Sequence, residues 1–122
     1  MQRTMNALNK VIPGFEEKTF SKDLAEGPRQ SMVALWSLAN DIDNGMKTLL
    51  EASTSLTRRF QMYTESLAEG VLSGLDSPIR SSYMLDIVEL QNKLLAQRQS
   101  LLTIMSLTYG VELRRALEKE LS

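Results

Sequence analysis

The sequence offers catalysis little besides carboxylates. It has neither histidine nor cysteine, so thiolate–imidazole nucleophiles and zinc sites built from imidazole or thiolate are impossible. Close acidic pairs occur at Glu16-Glu17, at Asp41 with Asp43, and at Glu118 with Glu120. Glycosidase or metal chemistry needs such carboxylates to converge in a pocket. Residues two apart on a helix, such as Asp41 and Asp43, face different sides. No phosphate-cradling loop, dinucleotide glycine pattern or nucleophile elbow is present. The expectation is a protein that is not an enzyme, with no catalytic residue, no metal and no cofactor.

Charge narrows the partners. Lys and Arg number 14 against 15 Asp and Glu, a net charge of −1. Phosphate-backbone binding needs a basic stripe. The adjacent basic pairs, Arg58-Arg59 and Arg114-Arg115, read as solvated helix faces, so no nucleic-acid partner is expected. The most apolar run, Leu101 to Val111, is interrupted by Thr103, Ser106, Thr108 and Gly110. It is too short and mixed for a bilayer, which needs about 20 apolar residues. The opening Met-Gln-Arg-Thr-Met-Asn lacks an apolar core, so a cleaved signal peptide is not expected.

The elements are legible from spacing. Proline and glycine at Pro13-Gly14, Gly27-Pro28 and the stretch 70–78 punctuate the chain, because both favour turns over helix interiors. Residues 1–27 are expected to be a loosely held segment with short helices. From Pro28 onward a seam runs Met32, Leu35, Ala39, Ile42, Met46, Leu49, then Ser53, Leu56, Phe60, Tyr63 and Leu67. Its alternating spacing of three and four marks a helix that packs lengthwise on another. The helix is expected over 28–70. Asn44-Gly45 would be a hairpin signal between strands, but the seam keeps phase across it, so a continuous or gently kinked helix is favoured. A linker over 71–77 precedes a second long helix over 78–121, with Ser77 as cap and Pro78 as first residue. The fold class is all-α: one domain, a long helical hairpin with a short N-terminal helical segment, assembling with other helices.

The second helix carries the functional expectation. Ile87, Leu90, Leu94, Leu101, Ile104 and Val111 share one stripe, Val88, Leu95, Leu102 and Met105 lie beside it, and Leu113 and Leu117 continue on a shifted face. A helix apolar nearly all round is buried nearly all round. Either other subunits cover the remainder, which is favoured, or the N-terminal segment folds over it. The expected assembly interface is Leu90, Gln91, Leu94, Leu101, Ile104, Met105, Gly110, Val111, Leu113 and Leu117, where an Asp at 101 or 105 should abolish assembly.

Residues 76–121 also resemble a family. Asp76-Ser77-Pro78, Met84-Leu85, Gln91 followed by Leu94, and the ending Tyr109-Gly110-Val111-Glu112 with Leu113 and Leu117 are similar to the C-terminal region of type III secretion inner-rod proteins. Arg114-Arg115 and Glu118-Lys119-Glu120 make this tail more charged than that family's ending. The resemblance implies a protein exported without a cleaved signal to the bacterial cell envelope. There it would self-associate and contact the export gate, the needle subunit and the envelope rings, lining the export channel. The competing expectation is a cytoplasmic helical-hairpin adaptor or chaperone that holds a partner's helix.

Overall fold

The computed structural model describes residues 2–68 and 77–122, with side-chain surroundings for 2–59, 61–62 and 85–122. The expected linker therefore lies outside the described residues apart from Ser77. So do the side chains of Phe60, Tyr63, Leu67, Ser77 and Pro78.

The elements are α1 (Arg3–Val11), α2 (Phe15–Thr19), α3 (Glu26–Ala68), α4 (Ser77–Tyr109) and α5 (Val111–Leu121), with no strand among the described residues. The long helices α3 and α4 pack against each other as a helical hairpin. At 43 residues, α3 runs about 65 Å at 1.5 Å per residue. It begins two residues before Pro28, whose missing N–H still falls among the unpaired donors of a first turn.

Asn44-Gly45 does not interrupt α3. A Cβ at position 45 would lie 2.6 Å from Leu94 Cδ2 on α4, well inside van der Waals contact. The glycine serves the approach of two helices rather than a turn, at a helix-propensity cost of about 1 kcal/mol.

The single helix expected over 78–121 is instead two. Gly110 has φ +96 and ψ 172, a conformation open to glycine and strained for any residue with a Cβ. The chain turns there, and α5 packs back on α4, bringing Leu121 to the same cleft as Leu94 and Leu95. Nothing lies within 4 Å of a Cβ built at 110, so a substitution there meets backbone strain alone. Gly110→Ala should lower the unfolding free energy by about 1–3 kcal/mol in a urea titration. An unchanged midpoint would mean that α4 runs straight into α5.

The N-terminal segment is a second correction. Rather than hanging loosely, it contributes Met5, Ala7, Leu8, Ile12 and Phe15 to the buried core. These join Met32, Leu35, Ala39 and Ile42 of α3, Leu101, Leu102 and Met105 of α4, and Leu117 of α5. Burying each large apolar side chain is worth roughly 1.5–3 kcal/mol. The core thus sits at one end of the hairpin, where α1 lies against α3 and α5, and α2 against α3. Gly14, at φ +74, makes the turn between α1 and α2. The Asn9 side-chain oxygen accepts from the Glu16 amide at 3.0 Å. Phe20 meets the edge of Trp36 at 5.2 Å between ring centroids, and the indole N–H has no acceptor among the described residues.

Candidate functional site

The α1 end of the core is held by a tertiary cap. Gln2 makes no side-chain bond to the first turn of α1. Asp43 of α3 does so from across the interface. Its Oδ1 accepts from the Thr4 amide at 2.8 Å and its Oδ2 from the Met5 amide at 3.0 Å. A carboxylate at a helix N-terminus satisfies orphan donors and meets the positive end of the dipole. Asp43 is 6% exposed, so these bonds are shielded from water. The signal for it was present in the sequence: Asp43 stands four residues after Ala39, on the apolar stripe itself, where an unpaired charge would be costly.

The other acidic pairs are structural or solvated. Glu16, Glu17 and Asp41 are exposed. Glu118 accepts from Arg114 Nε at 2.9 Å, and Glu120 pairs with Lys10 at 3.2 Å. Exposed pairs of this kind contribute little to stability. Among the described residues no three or more of Asp and Glu gather as a metal would require, and no helix is long and apolar enough to cross a membrane.

Beside the Asp43 cap lies a cleft of about 440 Å³. Its floor is apolar: Ile42, Met46 and Leu49 from α3, Leu94 and Leu95 from α4, and Leu121 at the end of α5. Its polar lining is Arg3, Thr4, Gln91, Asn92 and Arg98, with no carboxylate. The Arg3 guanidinium donates to the Leu121 and Ser122 main-chain oxygens at 2.9 and 3.2 Å, closing α1 onto the C-terminal end of α5. Arg98 is half-buried and pairs with no carboxylate among the described residues.

No protein-family profile, no characterised protein and no solved structure matches the chain.

The expected interface divides into two groups. Leu101, Met105 and Leu117 are fully buried within this chain. They belong to its own core and are not available to a second subunit while the fold holds. Leu90, Leu94, Ile104, Gly110 and Leu113 are half-buried, and Gln91 and Val111 are exposed. The α3 seam divides similarly: Met32, Leu35 and Ile42 are interior, Leu49 and Leu56 half-buried, and Met46 exposed. Exposed apolar side chains include Val111 of the expected interface and, outside that set, Leu85, Val88, Leu95 and Leu107 on α4, Val33, Leu50 and Met62 on α3, and Phe20.

At about 100° per residue, Leu95 stands about 100° from Leu94, with which it lines the cleft, while Leu85 and Val88 fall on the side of α4 away from Ile87, Leu90 and Leu94. The latter face is the more covered one. A helix with apolar residues on opposite sides gives sequence reasoning no means of deciding which side folds inward.

Proposed function

We propose that the chain is a structural subunit that works by packing with other helical chains, and that its setting is a type III protein secretion apparatus, in the place of the inner rod. The observation that carries the packing role is the second apolar stripe on α4. Leu85, Val88 and Leu95 stay exposed after α3 has covered the side carrying Leu94, and exposed apolar side chains gathered along one helix mark an interaction site. Burial of such surface stabilises an assembly by ~25 cal/mol per Å², enough for association that responds to concentration. The narrower setting is supported by the resemblance of residues 76–121 to inner-rod proteins. In that role the chain would reside in the bacterial envelope and meet the export gate, the needle subunit and the envelope rings. Its contribution would be mechanical: packed helices sealing a conduit.

A second reading, a cytosolic adaptor that seats a partner's helix, is favoured by one specific observation. The core closes within a single chain, and a preformed apolar cleft stands beside it, as a helix-in-groove receptor requires.

Fractionation separates the two readings. An epitope-tagged copy in the native bacterium should co-purify with an envelope complex after detergent extraction. Recovery of the tagged chain wholly as a soluble species bound to one helical partner would overturn the rod assignment in favour of the adaptor.

A further inference from the structure

Leu107 is 83% exposed and Val111 55%. They flank Gly110, one on the last turn of α4 and the other opening α5. The exposed Glu112 follows directly and forms no hydrogen bond or ion pair among the described residues. This corner of the fold is therefore an apolar knob bearing a free carboxylate. The cleft has the opposite character, with an apolar floor and, in its lining, a cation without a carboxylate partner among the described residues, Arg98. An apolar cavity of about 150 Å³ is enough to take up benzene. The cleft here measures about 440 Å³, which leaves room for a leucine and a valine side chain together.

The geometry points to a second copy of this chain as the occupant of the cleft: Leu107 and Val111 of one molecule enter the cleft of the next, with Glu112 facing Arg98. This rests on the packing role proposed above and names the contact that serves it. Complementary charge argues for this occupant, since no Asp or Glu side chain lines the cleft and the knob supplies one. Knob and cleft are different patches. Leu107 lies nine residues beyond Arg98 along α4, about 13 Å at helical rise, and on another side of the helix. The contact is thus heterologous. Each added molecule leaves one knob and one cleft free, so the assembly grows head to tail, as a ring if the rotation closes and as a helical filament if it does not.

Sedimentation of the purified full chain across a range of concentrations tests this. The wild type should show a mass that rises with concentration. Leu107→Lys, Arg98→Glu and Glu112→Arg should each weaken association by about tenfold or more, because each buries a charge without a partner or sets like charges together. All three positions lie outside the buried core, and circular dichroism should show an unchanged helical signal. Mixing the Arg98→Glu chain with the Glu112→Arg chain should restore growth, since each reversed cleft then meets a reversed knob. A wild type that stays monomeric, variants that associate as it does, or a mixture that fails to recover would each overturn the knob-in-cleft contact. None of these results touches the secretion role, which a deletion strain reports separately.

Discussion

Leu101→Asp should abolish the cooperative thermal transition of the isolated chain. Leu101 is fully buried in the cluster that joins all five helices' contributions around α3 and α4. A carboxylate there has no cation to meet, and an isolated charge in an apolar interior costs several kcal/mol even after relaxation. Loss of the leucine's own packing adds about 2–5 kcal/mol. Together these rival the whole stability of a small domain, about 5–15 kcal/mol. Read from the sequence alone, the same substitution tests a subunit interface. The structure changes its meaning: assembly fails because the subunit no longer folds. Circular dichroism during a thermal ramp distinguishes the two. A Leu101→Asp chain that melts like the wild type yet no longer assembles would put Leu101 back on the surface between subunits.

Asp43→Ala should be the costliest loss of a single polar group, about 2–4 kcal/mol. It removes both acceptors at the start of α1 and leaves the Thr4 and Met5 amides buried. An N-cap deletion alone costs about 0.5–2 kcal/mol, and each stranded buried donor about 1–3 kcal/mol. The melting temperature should fall by roughly 10 °C. Asp43→Asn keeps one acceptor but turns an amide toward the other N–H, so its loss should be intermediate. If the alanine variant melts within a degree or so of the wild type, α1 is not held by Asp43.

The long helices were legible because their apolar residues keep one period for many turns. The seam from Met32 to Ile42 maps onto the core residue for residue. Its phase across Asn44-Gly45 gave the right answer about continuity, although the reason for the glycine, the close approach of Leu94, needs a partner helix to be visible. Residues 1–27 misled because α1 and α2 span only 9 and 5 residues. Helices that short have little stability of their own; they persist by burying Leu8 and Phe15 against distant segments and by borrowing a cap from Asp43. Gly110 misled for a related reason. A glycine in a helical pattern signals a break only weakly, and its positive φ is set by the return of α5 onto α4. The apolar excess between Leu101 and Leu117 was real, but α1, α3 and α5 absorb most of it. What remains uncovered in that stretch is the Leu107–Val111 corner, while Leu85, Val88 and Leu95 stay exposed further up α4.

The proposed role is tested most directly by deleting the gene in the native bacterium, restoring it with a tagged copy, and following the proteins exported to the medium. The account predicts that export stops on deletion, returns with the tagged copy, and that the tagged copy is recovered in the envelope. Export that continues undiminished in the deletion strain, with the tagged chain remaining in the cytosol, would contradict it.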